Sequence, residues 1–263
     1  MYSIGGVALD NPAAGWEING RTKTLTAVSR DLVALRLAGR DGTPRLPGSW
    51  DAPIWPLYMR VERRARAALQ ALITGGSQLE QSGMSVGYSP GSIDVIEDHL
   101  HAGYSIVSYA LRLDGVFWRN PEVTTAAAPL AAASVTVKCL NADGGLSAPV
   151  SDAIVRVKGA VGSLQVTDAA SGAWFTFPSV AADRWLRFEA DSGRAFLTST
   201  DTWTGGTEVS GDVDFGGPRG NFEITPFFPN PLDPTVREGR LTVTTATRTS
   251  ASIQVRARAA HLV

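Results

Sequence analysis

SDAIVRVKGAVGSLQVTDAASGAWFTFPSVAADRWLRFEADSGRAFL, residues 151–197, is the stretch that decides the fold. Apolar and polar side chains alternate in its short runs, IVRVK, SLQVTD, WFTF, WLRFE and RAFL, and small turns such as ASG and DSG separate them. Alternation at period two sends one face of each run to a core and the other to solvent, as in an antiparallel strand. Similar runs lie on either side: SVTVKCL upstream, then NFEITPF, RLTVTTA and SIQVRARA downstream, with ADGG and TGG as further turns. About nine short strands with glycine turns and no helical period predict a β-sandwich over 135–263.

Working outward, TTAAAPLAAAS (124–134) is charge-free, made of small residues and interrupted by Pro129. That composition predicts a boundary, with 126–134 as a linker. Upstream, residues 1–125 read as an α+β domain. RVERRARAALQALITGG carries Val61, Ala65, Ala68, Leu69, Leu72 and Ile73 on one stripe at helical period. A helix over about 61–74 follows, stopped by Gly75 and Gly76, with Arg63, Arg64 and Arg66 on a solvated face. Strands are predicted in 24–37, in IWPLYMRVE (54–62), where Pro56 implies an edge or irregularity, and in 92–120. In the last, Asp114-Gly115 reads as a two-residue hairpin turn, with Leu111, Leu113 and Trp118 facing a core. The start, IGGVALDNPAAGWEI (4–18), reads as a strand, a turn and a buried Trp16, without the basic and apolar regions of a signal peptide.

Composition narrows the chemistry. The 263 residues hold 24 Lys+Arg against 25 Asp+Glu, so the basic face of a nucleic-acid binder is not expected. No apolar run is long enough to span a bilayer as a helix. Cys139 is the one cysteine; an internal disulfide is excluded, and the thiol is expected on the apolar face of a strand. Of the basic residues 21 are Arg and three are Lys, a bias that points to a G+C-rich genome.

Motifs of catalysis are missing: there is no G-x-S-x-G, H-E-x-x-H or phosphate loop, and GGPRGN (216–221) leads into a strand rather than a helix. An enzyme is therefore not expected, nor a cofactor. The cluster with metal-ligating residue types is EDHLH, where His99 and His101 would share one strand face but lack a nearby third ligand. Tryptophan is the more informative surplus. Trp50 and Trp55 flank a proline-rich loop, and Trp203 interrupts the alternation in TDTWTGGTE. Each is a candidate interface anchor or ligand platform, against the plainer reading of a loop tryptophan folded onto its own core.

Three stretches together resemble the distal tail (Dit-type) or minor tail proteins of long-tailed siphoviruses of actinobacterial hosts. They are YSIGGVALDNPAAGWEI at the start; the order strands, one helix ending in GG, then strands closing in LRLDGVFWRNPE; and the 151–197 stretch followed by FEITPFFPNP. The loop FFPNPLDPTVREG (227–239) is longer than the compact turn of that family. The resemblance implies an N-terminal β-sandwich or split barrel with one helix and a C-terminal galectin-like β-sandwich. It implies a structural virion protein at the tail tip, assembled in the host cytoplasm as a hexameric homo-oligomeric ring. The implied partners are the tail-tube protein, the tail hub, and a receptor-binding protein or host-surface glycan. A carbohydrate-binding or adhesin module is the alternative, as is another minor tail or tail-tube protein. An edge strand completed by a neighbouring copy would explain a fold that begins with a strand.

Overall fold

The computed structural model describes residues 1–23, 52–140 and 146–262. It is mostly β, with one α-helix among the described residues. Two compact units divide the chain, one of Met1–Pro121 with Leu262 and the other of Glu122–His261. The strands expected in 24–37 and the ADGG turn lie outside the described residues.

In the first unit the strands are β1 (Tyr2–Ile4), β2 (Val7–Ala8), β3 (Trp16–Ile18), β4 (Ile54–Glu62), β5 (Gln78–Gln81), β6 (Met84–His99), β7 (Tyr104–Leu113) and β8 (Trp118–Arg119). The sheet runs β2-β1-β5-β6-β7-β4-β3, with β8 against β6. Alternation in β4 buries Trp55, Leu57, Met59 and Val61 and leaves Pro56 outside. On the far side of β4 from β7, β3 covers only Met59 to Val61, so among the described residues Pro56 removes no ladder bond there.

The helix is shorter than its apolar stripe. β4 continues through Glu62, a 3-10 turn spans Arg63–Ala65, and α1 occupies Arg66–Gly75. Val61 belongs to the period-two pattern of β4, which overlaps the helical stripe by one residue. Leu69 and Ile73 carry the helix into the core beside Ile4, Leu79 and Tyr88. Gly76 ends α1 in an extended conformation, so its role is spatial. A Cβ there would overlap Ile4 and the Tyr88 hydroxyl, which donates to the Ile73 carbonyl at 2.8 Å.

Asp114-Gly115 does not make the expected hairpin. Neither residue has positive φ, and β8 pairs with β6 through Ser85 and Arg119. Instead the Asp114 amide donates to Gly87 and its carboxylate accepts from the Ser89 hydroxyl. Leu111, Leu113 and Trp118 do face the core.

The second unit contains β9 (Thr124–Pro129), β10 (Ser134–Leu140), β11 (Ile154–Lys158), β12 (Val161–Asp168), β13 (Trp174–Val180), β14 (Trp185–Glu189) and β15 (Arg194–Thr198). They are followed by β16 (Thr207–Glu208), β17 (Asp214–Gly216), β18 (Pro226–Phe227), β19 (Glu238–Thr244), β20 (Thr247–Arg248) and β21 (Ser252–Ala257). One sheet runs β10-β19-β12-β13-β17, with β18 on β19 and β20 on β12; the other runs β16-β15-β14-β11-β21-β9. Their inner faces meet at aromatic rings. Phe175 of β13 stacks on Phe188 of β14 at 4.3 Å, and Phe222 sets its edge against both.

Two expectations change here. Residues 124–129, read as boundary and linker, form edge strand β9, bonded to β21 from Thr124↔Ala257 to Pro129↔Ser252. A run of alanines offers no side-chain contrast, yet its backbone pairs like any other. NFEITPF is mostly not a ladder strand: Ile224 bridges Val150 and only Pro226–Phe227 pairs with β19. Its alternation survives because Phe222 and Ile224 plug the core.

Candidate functional site

Trp50 lies outside the described residues. Trp55 is a core residue: it is 2% exposed, its indole donates to the Lys23 carbonyl at 2.9 Å, and Tyr2 packs on it at 4.5 Å. Neither its face nor its N–H is left for a partner. Cys139 sits buried on β10, and burial pushes its thiol pKa up to about 12, which leaves no thiolate at neutral pH.

The two histidines do not share a strand face. His99 ends β6, whereas His101 lies in the 3-10 turn Leu100–Ala102 that leads to β7. His99 Nε2 is 3.1 Å from Glu97, and its ring lies 4.6 Å from that of Tyr104. Glu97 accepts from Arg21 at 2.7 Å, and that bond, with the one to His99, holds its carboxyl below the usual range. Beside it, Asp98 accepts from the Ser105 hydroxyl at 2.9 Å. The cluster is a set of exposed pairs at the tip of a hairpin. Among the described residues no three His, Cys, Asp or Glu side chains converge as metal ligands.

That hairpin carries a feature the sequence did not disclose. β5 covers β6 only from Met84 to Gly87, so beyond Tyr88 its other margin has no paired strand among the described residues. Register shifts between Pro90 and Ile93, and between Val95 and Glu97, bend the ribbon. Val95 is 42% and Ile96 44% exposed, so the ribbon shows apolar side chains beside a margin that no strand among the described residues pairs. Such a strand is a template for pairing with another chain.

Trp203 stands at a second feature. It lies over the outer face of the sheet containing β11 and β14, with the Arg156 guanidinium 4.5 Å and that of Arg256 5.5 Å from its ring centre. Arg156 also lies 4.3 Å from the Trp185 ring, so it is held between two indoles. Its side chain is 0% exposed, and Asp201 from the same loop as Trp203 pairs with it at 2.6 Å. Arg187 is directly opposite Arg156 in the ladder, 4.5 Å from the Phe196 ring. The sequence signal existed: IVRVK and WLRFE place an arginine at the centre of a strand with an apolar residue on either side of it.

No protein-family model matches this sequence, and no curated protein is similar to it. Among solved structures, the chain is similar to the Dit (gp 19.1) protein of phage SPP1, described as a paradigm of the hub adsorption apparatus in phages that infect Gram-positive bacteria. That match has a TM-score of 0.56 at 11% identity and covers 98% of both chains. Structures of the phage P2 baseplate in its activated conformation, with Ca or with Sr, align over 92% of this chain and 90% of theirs. Their TM-scores are 0.37 at 8% and 9% identity, too loose to fix a fold.

Proposed function

We propose that this chain is a structural, non-enzymatic component of a phage tail tip. It assembles as a hexameric ring of identical copies that joins the tail tube to the baseplate hub and supports peripheral or receptor-binding components. The observation that carries this reading is the fold shared with a phage Dit protein across both units and almost the whole of both chains. Fold alone does not fix function; the β6 margin adds an independent physical reason for self-association. A strand margin left unpaired, as this one is among the described residues, is an aggregation hazard in an isolated monomer, and closed rotational symmetry removes it by giving every copy a neighbour.

The test is the mass of the purified full-length protein in solution, followed by labelled-antibody imaging of intact tails. A closed ring of identical copies, and label confined to the tip, is the expected result. A monomer at high concentration together with unlabelled tails would sink the reading.

A further inference from the structure

We propose that the outer face of the β11–β14 sheet is a docking site for an acidic segment of a partner protein, with Asp201 as the internal carboxylate that holds the site in its absence.

The argument begins with an unfavourable placement. Arg156 and Arg187 are direct cross-strand neighbours, and like charges so placed repel. Both are also withdrawn from water, at 0% and 3% exposure. Burying guanidinium groups costs stability unless hydrogen bonds and counter-charges offset it. The offset here is partial. Asp201 and the Gln254 amide oxygen, at 3.2 Å, serve Arg156, and Glu189 lies 3.0 Å from Arg187 Nε. Arg156 Nε and Arg187 Nη1 nevertheless have no hydrogen-bond partner, and Arg187 Nε lacks the geometry for one. Rings of Trp185, Trp203 and Phe196 supply cation–π contact but accept no conventional hydrogen bond.

The surroundings are cationic too. Lys158 lies 5.5 Å from the Trp185 ring and Arg256 5.5 Å from that of Trp203. Neither has an acidic partner within 4 Å among the described residues. Four cations therefore face two acids here, while Arg194 and Glu208 at the sheet's margin neutralise each other. Charge complementarity selects an anion, and the occupant already present selects its kind: a carboxylate on a guanidinium at 2.6 Å.

Asp201 is suited to being displaced. Its side chain is 63% exposed although the group it pairs with is fully buried. It lies on the loop between β15 and β16, whose hydroxyls bond mainly to one another: Thr198 to Thr200, and Thr200 to Thr202. Beside them is a shallow cleft of about 450 Å³ lined by that loop and Arg184. Lifting the loop, and Trp203 with it, leaves Arg156 Nη1 on the Gln254 amide oxygen and turns Nη2 and Nε toward an incoming aspartate or glutamate. The choice of a protein as the source of the carboxylate rests on the tail-tip reading; the site itself does not.

The experiment titrates full-length protein into a fluorescently labelled hexaglutamate peptide, with hexaglutamine as the uncharged match. Hexaglutamate should bind and hexaglutamine should not. Asp201→Asn removes the internal competitor and should tighten binding about tenfold, the factor expected if the loop is closed nine-tenths of the time. Lys158→Ala with Arg256→Ala should loosen it and flatten its salt dependence. These changes are at the surface, so they keep the test independent of whether Arg156 variants fold. Equal binding of the two peptides, or an Asp201→Asn protein that binds hexaglutamate no better, overturns the proposal. So does a gain seen with glucuronate or inorganic phosphate but not with hexaglutamate. Ring formation is read separately by mass: a monomer that passes the peptide test fails only the tail-tip reading.

Discussion

At the scale of single residues, burial leaves measurable marks. Cys139 and Tyr88 both have pKa values raised to about 12 by desolvation. Raised acids of this kind stay neutral in the fold while the unfolded chain ionises them at its ordinary values. Their contribution is therefore complete below about pH 8.5, the unfolded thiol value, and fades as pH climbs toward 12. Denaturant titrations should show stability falling across that window, with the Cys139→Ala variant losing the part that begins near pH 8.5. The native thiol should also ignore a disulfide reagent at pH 8 and react once the chain is unfolded. Gly76→Ala meets Ile4 and Tyr88 in a filled core and should cost about 1–3 kcal/mol in chemical denaturation. A result near zero would show that α1 can move away from β1. Burial of Cys139 is legible from alternation, and that of Trp16 from the apolar strand and turn that precede it. Burial of Arg156 is not, because a charge on the outer face of a strand ordinarily points to water, and only the loop bearing Trp203 reverses that.

At the scale of elements, legibility followed contrast. β10 through β15 alternate sharply and were readable; β9 is nearly all alanine and threonine and was not. The margin of β6 was hidden for a different reason. Which strand lies beside which is decided by long-range pairing, and a sequence pattern reports faces rather than neighbours. The margin makes its own prediction. Val95→Asp with Ile96→Lys places charge at the exposed apolar positions of the ribbon, a device by which natural edge strands avoid association. Sedimentation should then shift from assembly toward monomer, with a change in melting free energy within about 0.5 kcal/mol, because both sites are exposed. A variant that assembles normally would mean that contacts between copies lie elsewhere.

At the scale of the whole molecule, the first unit buries its own apolar cluster and the second packs its own aromatic rings. Removing Phe188, which joins the two sheets of the second unit, should cost about 3–5 kcal/mol on replacement by alanine. By calorimetry that loss should fall on one transition and leave a second in place; a single shared transition would show that the units unfold together. The pairing of β9 with β21 has a further bearing. Thr124, where the second unit's first strand begins, sits directly across the ladder from Ala257, where its last long strand finishes. The unit's first strand and its last long strand thus close on each other, an arrangement compatible with permutation. A unit whose opening and closing strands are ladder partners is stitched shut by its own backbone, so new chain termini could be cut into one of its surface turns without unpicking that seam.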